Sequence, residues 1–329
     1  MSRVSKLSQM FPPAPAWTDQ DISDLSGKVY IVTGSNAGVG KEVARILYSK
    51  NATVWAAARN EEKNLAAISS IEEAYPSSTG KLEHLHLDLG DLSTIKKSAE
   101  TFLAKEKKLH VLINNAGVML PPRGSTTAQG YELQLGTNCV GPFLFTKLLT
   151  PALVETAKTA PKNAVRVVWV SSSAAEGLSY TNGLDIDNLD YSKNDGIYMQ
   201  IAGKYAVSKS GNWYHSTEFA RRHRKDGVIS VALNPGNLDS DLSRHHSTTA
   251  AIFKPLICYA PVYGAYTELF AGVSDQVTLD KTGSWIVPWG RFSDMRSDLD
   301  LGSRPEGEGG TGIAQKFWEW SEAQVQPYL

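Results

Sequence analysis

In the segment YAVSK, the phenol of Tyr205 and the ammonium of Lys209 stand four positions apart. Residues i and i+4 share one face of a helix, so this spacing lets the two side chains meet. A free tyrosine, with a pKa of roughly 10, exchanges protons poorly at neutral pH. A cation one turn away favours the phenolate and lowers that pKa, which would make Tyr205 a usable proton donor or acceptor. Ordinary solvated helix faces show the same spacing, so the pair needs support from elsewhere in the chain.

Residues 33–40, TGSNAGVG, supply some of it. Glycines 34, 38 and 40 permit a tight turn, a close approach to a pyrophosphate and packing of a helix on a sheet, with Ser35, Asn36 and Val39 between them. The N-terminus of the helix that follows offers free N–H groups to phosphates. About twenty residues further on, an NAD site carries an acid for the adenosine ribose 2′-OH. Here the strand ends Ala57-Ala58-Arg59 instead. A guanidinium holds a 2′-phosphate through paired charge-assisted hydrogen bonds, so the expected cofactor is NADP(H). The alternative is that Arg59 is a solvated charge at a strand end.

These groups must be positioned by a scaffold, and the chain alternates short apolar runs with amphipathic ones. Strands are expected at 28–34, 52–59, 81–89, 110–117, 164–172 and 227–236 and in GSWIVPW. Helices are expected over 40–50, 61–74 and 92–107, in a long region ending near 158, and in GKYAVSKSGNWYHSTEFARRH and PVYGAYTELFAG. Fully apolar strands alternating with helices predict a doubly wound α/β fold, with a parallel sheet of seven strands covered on both faces. One domain over 26–300 is expected, flanked by an N-terminal arm (1–25) and a tail (301–329). The tail holds a flexible glycine-rich stretch, 302–312, and a short helix around 313–324.

Composition excludes several classes of partner. Lys plus Arg number 33 against 34 Asp plus Glu, so no global field recruits nucleic acid or an anionic membrane. The basic run Arg221-Arg222-His223-Arg224-Lys225 falls where a helix should end, where cations complement its dipole. Cys139 and Cys258 are too few for a disulfide framework or a thiolate zinc site. The N-terminal residues lack the apolar core of a signal peptide, and no long apolar span appears, so a soluble cytoplasmic protein is expected. His84 and His86 share a strand face without a third ligand nearby, and no metal is expected. His245 and His246 fall in the loop after the sixth strand, as substrate contacts or as exposed loop. The aromatic residues at 213, 214, 259, 263 and 266 have the spacing of core positions.

Taken in order, TGSNAGVG, NNAG (Asn114 to Gly117), TNCVG with Asn138, WVSSSA with Ser172, YAVSK and NPGNLDS resemble the short-chain dehydrogenase/reductase family over about residues 26–290. The glycine spacing and AAARN look most like its retinol dehydrogenase-like branch. The resemblance implies a Rossmann-type sheet of order 3-2-1-4-5-6-7 and a catalytic tetrad of Asn138, Ser172, Tyr205 and Lys209, with Ser171 and Ser173 as alternatives to Ser172. It places Asp88 and Leu89 at the adenine, and the backbone of Asn115, Ala116 and Gly117 along the cofactor. Pro235, Gly236, Leu238 and Ser240 fall by the nicotinamide. Lys209 would also hold the nicotinamide ribose, and Asn138 would seat a water.

The chain departs from the family in one respect. Ser172 and Tyr205 are 33 residues apart, more than the commoner family spacing. The insertion, 174–204, is expected to form a lid or substrate wall. It is also placed where it could obstruct the usual family contacts between subunits, so a tetramer is not carried over from the family and a homodimer is allowed without being required. With AAIFKPLICYAPVY near the site, the expected activity is reduction of a ketone or aldehyde on a moderately sized apolar substrate. Oxidation of a retinol-like or steroid-like alcohol, and an idle NADP(H)-binding protein, are the rival readings.

Overall fold

A strand that is apolar on both faces must be covered on both, and the runs expected as strands pair side by side beneath two layers of helix. The computed structural model describes residues 2–193, 202–239 and 258–329. A short helix α1 (Lys6–Met10) precedes β1 (Val29–Thr33), α2 (Gly38–Ser49), β2 (Thr53–Ala58), α3 (Glu61–Ala74), β3 (Lys81–His86), α4 (Leu92–Lys105) and β4 (Val111–Asn114). The chain continues through α5 (Gly141–Thr159), β5 (Arg166–Val170), α6 (Ser173–Gly177), α7 (Lys204–His223), β6 (Ile229–Leu233) and α8 (Pro261–Val273). It ends with β7 (Trp285–Val287), β8 (Arg291–Ser293), α9 (Ser297–Ser303) and α10 (Ile313–Val325).

The strands form one sheet of order β3-β2-β1-β4-β5-β6-β7-β8. The expected order of seven holds, and β8 adds an antiparallel edge to β7. Three residues, Arg291-Phe292-Ser293, are too few to show an alternating pattern, which is why β8 is not legible as a strand.

Side chains alternate across the sheet as the period of two requires. Val29 and Ile31 of β1 join the core on one face, with Trp55, Phe102, Phe143 and Trp169, while Tyr30 and Val32 join the other, with Val43, Ile46 and Phe270. The C-terminal helix α10 belongs to the first of these cores. Its Phe317 stacks on His215 at 4.6 Å, and its Trp318 meets Phe143 edge-on at 4.8 Å. Burial holds the His215 imidazole neutral, its pKa pushed down to about 3. The glycine-rich stretch before α10, read as flexible, takes a defined path: Gly310, Thr311 and Gly312 donate backbone hydrogen bonds to Pro305, Leu301 and Arg304.

The basic run at the end of α7 does more than complement a dipole. Arg221 and Arg222 both donate to the buried carboxylate of Glu218, at 2.6 and 2.8 Å. The described part of the insertion, 174–193, packs on α7 and α9. Leu184 and Leu189 enter the core, Tyr214 donates to the Asn182 carbonyl at 2.6 Å, and the Asn182 N–H donates to Asp298 at 2.7 Å. Residues 194–201 of that insertion lie outside the described residues.

Candidate active site

The carboxyl ends of β1, β2, β4, β5 and β6 open on one cavity of about 1390 Å³. It lies where the strand order reverses between β1 and β4, the place where doubly wound sheets take ligands. Gly34 has φ +71°, and a Cβ there would lie 3.0 Å from the Ala116 Cα; a Cβ on Gly40 would lie 2.5 Å from the Gly34 carbonyl oxygen. Only hydrogen fits at these two positions, and the loop therefore lies flat on NNAG. Asn115 Nδ2 donates to the Thr33 carbonyl at 2.7 Å, and the Ala116 N–H donates to Thr33 Oγ1 at 2.9 Å.

Ala37, at the N-cap of α2, has no side-chain oxygen to receive the first N–H groups, so they face the cavity as an anion cradle. Asn36, Gly38, Val39 and Gly40 line it. Ser35 does not. It is 1% exposed, and its hydroxyl points the other way, to the Ala57 carbonyl and Asn64 Oδ1 at 3.4 and 3.3 Å. Its work is to fasten the loop to β2 and α3.

At one end of the cavity stands Arg59, exposed just beyond β2, with Asp88 and Leu89 beyond the neighbouring strand β3. Lys41 and Lys63 line the cavity as well, two cations that the sequence reading does not single out. At the other end Tyr205, Lys209 and Ser172 converge. Ser172 caps α6, its Oγ accepting from the Ala174 N–H at 3.2 Å, and its hydroxyl is near enough to the Tyr205 phenol to oppose the rise of that group's pKa. Ser171 is committed elsewhere, donating to the Lys209 carbonyl at 2.6 Å, and Ser173 is the first residue of α6. Of the three serines, the structure brings Ser172 to the phenol.

Lys209 Nζ donates to the Val170 carbonyl at 2.8 Å and lies 5.7 Å from the centre of the Tyr205 ring. Burial pushes Lys209 down to about 8, against the opposing pull of Cys139 and Glu268. Tyr205 is pushed up to about 12 by burial, the Ser172 hydrogen bond opposing. Loss of water outweighs a cation that sits over the ring instead of against the oxygen.

Asn138 stands in a π-helical turn, Gly136–Val140, that leads into α5. Its Oδ1 accepts from the Val118 N–H at 2.8 Å, and its Nδ2 donates to the Val118 carbonyl and Ser208 Oγ at 3.0 and 2.9 Å. Both amide protons are thus spent on protein groups, and Asn138 sits behind the cavity wall. It braces Gly117 and Val118.

Comparison with known proteins gives the family. The family model described as short chain dehydrogenase matches residues 28–182. A protein of Phomopsis amygdali named short-chain dehydrogenase/reductase is 55% identical over 98% of this chain and 96% of its own length. The chain belongs to the short-chain dehydrogenase/reductase family. As a member it is an oxidoreductase acting on CH–OH or C=O groups of a small molecule, with NAD(P)(H) as cofactor. Two crystal structures share its fold. An uncharacterised Mycobacterium paratuberculosis protein has a TM-score of 0.67 at 26% identity, covering 95% of this chain and 98% of that one. The NADPH-bound carbonyl reductase from chicken fatty liver has a TM-score of 0.62 at 18% identity, covering 86% and 99%.

Pro235, Gly236 and Leu238 border the cavity of this family member, with Gly236 at φ +98° pressed on the Trp289 ring. Ser240, His245 and His246 lie outside the described residues. His84 is held on β3 with its Nδ1 2.8 Å from Asn64 Nδ2, and no metal-ligand cluster occurs among the described residues. Among them, too, no helix is long and apolar enough to cross a membrane. Trp213 and Tyr214 are core residues, while Tyr259 and Tyr263 pack around Trp289 at 5.1 and 5.2 Å.

Besides Lys41 and Lys63, sequence reasoning misses a buried titratable group in the cavity wall. Glu268 of α8 is fully buried, and neither carboxyl oxygen has a hydrogen-bond partner. Burial pushes its pKa up to about 8, with the Lys209 charge pulling the other way. In a helix sequence, a lone carboxylate reads as solvated face, and nothing local marks this one as buried.

Proposed function

We propose that the protein is an NADPH-dependent reductase of moderately sized apolar ketones or aldehydes. Tyr205 protonates the nascent alkoxide, and Ser172 donates a hydrogen bond that holds the substrate oxygen. The observation that carries this reading is the convergence of Tyr205, Ser172 and Lys209 on one cavity wall. When bound, the nicotinamide supplies the hydride. A phenol whose pKa burial sets at about 12 stays protonated at neutral pH, the state a reductase needs at the start of its cycle. Lys209 places a positive charge beside the phenolate left after proton transfer, and Asn138 keeps Gly117 and Val118 in register with it.

Preference for NADPH is supported by Arg59, Lys41 and Lys63 along one end of the cavity, where no acid ends β2 to repel a 2′-phosphate. The chicken enzyme of the same fold is itself an NADPH-bound carbonyl reductase. An apolar substrate is supported by Met119, which packs against Tyr205, and by Pro121 and Pro122 beyond it.

Titration with NADPH and NADH by fluorescence, followed by a panel of apolar ketones and aldehydes monitored at the cofactor absorbance, tests the reading. Tighter NADPH binding with turnover of at least one carbonyl is expected. Turnover confined to alcohols with NADP would reverse the assigned direction, and tighter NADH binding would remove the role of Arg59.

A further inference from the structure

The two segments flanking Tyr205 leave different strands: the α6 segment with Ser172 follows β5, and the Pro235-Gly236 loop follows β6. The N-terminal helix α1 joins them through one buried side chain. Gln9 is 4% exposed, and both ends of its amide are used. Nε2 donates to Glu176 Oε2 at 2.8 Å, and Oε1 accepts from Asn234 Nδ2 at 3.1 Å. Glu176 lies one helical turn beyond Ser172, on α6. Asn234 Oδ1 in turn accepts from the Gly236 N–H at 3.0 Å. A single amide thus spans from the segment that presents the Ser172 hydroxyl to the loop that presents Gly236 to the cavity. Glu176 and Asn234 are each 2% exposed, so a lost partner leaves a buried polar group unpaired, which costs more than the net value of the bond.

Helix α1 is too short to be stable alone, and the edge strand β8 holds it in place. The Val4 N–H donates to Ser293 Oγ at 2.9 Å, and Arg291 donates to Ser8 Oγ and the Ser8 carbonyl at 2.9 and 2.7 Å. Arg3 and the Trp285 indole N–H complete the donors on Glu176, at 3.2 and 3.3 Å. The residue after Gln9, Met10, lines the cavity.

We infer that α1 is part of the active site: Gln9 is a positioning residue that sets the Ser172 segment against the Gly236 loop, and Met10 is a wall of the substrate end. The Met10 half rests on the reductase reading. The Gln9 half is read from NADPH binding alone, so the two can fail separately.

The test uses the full chain with Gln9→Glu, Glu176→Gln and the two combined, below the unfolding temperature of each. Gln9→Glu sets two carboxylates together and is expected to weaken NADPH binding about tenfold. In the combined variant the new carboxylate accepts from both Asn234 and the new amide, the Trp285 indole N–H gives up its acceptor, and affinity is expected to recover most of the loss. Should Gln9→Glu fail to fold, Gln9→Met keeps the length without the amide and is expected to weaken binding in the same direction. NADPH affinity within twofold of wild type in Gln9→Glu, or in Gln9→Met if that is the variant that folds, overturns the positioning role. So does a loss that the exchange of charges does not repair.

Met10→Ala is expected to raise KM across carbonyls of graded size while leaving NADPH affinity unchanged, and an unchanged KM series removes Met10 from the wall. If wild type turns over no carbonyl, the reductase reading fails and takes the Met10 assignment with it, while the Gln9 titration still gives its answer.

Discussion

At one end of the cavity Arg59 and Asn60 stand in water, whereas at the other Tyr205 is 8% and Lys209 4% exposed. The exposed end offers solvated charges whose attraction for a phosphate is screened by salt. The buried end offers groups whose protonation is displaced by loss of water: Tyr205 up to about 12, Lys209 down to about 8, Glu268 up to about 8. Charge in water selects a ligand at small cost to the fold, and charge out of water sets proton chemistry at a larger one.

The largest effect should come from the buried end. Tyr205→Phe keeps the ring and removes the proton, and kcat for reduction is expected to fall about 10²- to 10⁴-fold with NADPH titration nearly unchanged. Surviving turnover would take the proton-donor role from Tyr205. At the exposed end, Arg59→Glu is expected to shift the ratio of NADPH to NADH affinity by about 10- to 100-fold. That shift should shrink as salt is raised from low to physiological ionic strength, and a salt-independent shift would mean that Arg59 is more enclosed than it is here.

The pH dependence of reduction sharpens the same contrast. Lys209 is charged below about 8, and Tyr205 stays protonated until far higher pH. The value of kcat/KM is therefore expected to fall by about tenfold per unit above that point, and a profile flat to pH 10 would exclude a role for the ammonium.

The smallest expected effect is on stability. The folded protein keeps the Glu268 proton up to about 8, whereas the unfolded chain releases it near the ordinary 4.5. Between those values the unfolded state binds fewer protons, so this carboxyl lowers stability as pH rises and does so in full above about 8. Glu268→Gln lacks that loss. Its Tm relative to wild type is expected to climb by several degrees from pH 5 to pH 8 in calorimetry, and parallel curves would mean that the carboxyl finds a partner in solution.

The sequence exposes the scaffold where periodicity is long. The helix expected over 61–74 is Glu61–Ala74, and the segment ending RRH is the single helix Lys204–His223. Motifs with fixed spacing likewise bring Gly34, Ser172, Tyr205 and Lys209 to one cavity. Position along a motif says less about direction, which is why the Ser35 hydroxyl, although it belongs to the loop, points away from the cavity. Helix α1 and strand β8 are too short to carry a period: β8 is held by its ladder to β7, and α1 by its hydrogen bonds to β8. Glu268 and Gln9 are invisible for a different reason: a polar residue in a helix declares neither its depth nor its partner.

The π-helical turn at Gly136–Val140 constrains how this protein can vary. It gives the chain one residue more per turn than an α-helix uses, and that surplus aims Asn138 at Val118 while Phe143 and Leu149 of α5 face the core. Deleting any one residue from the turn would leave a better helix by every local measure. It would also rotate everything on one side of the cut by about 100° relative to the other. Either the brace on Gly117 and Val118 or the hydrophobic seam of α5 would then face the wrong way. Length at this point is as fixed as residue identity, and natural variants that gain or lose a single residue there should be absent among active enzymes.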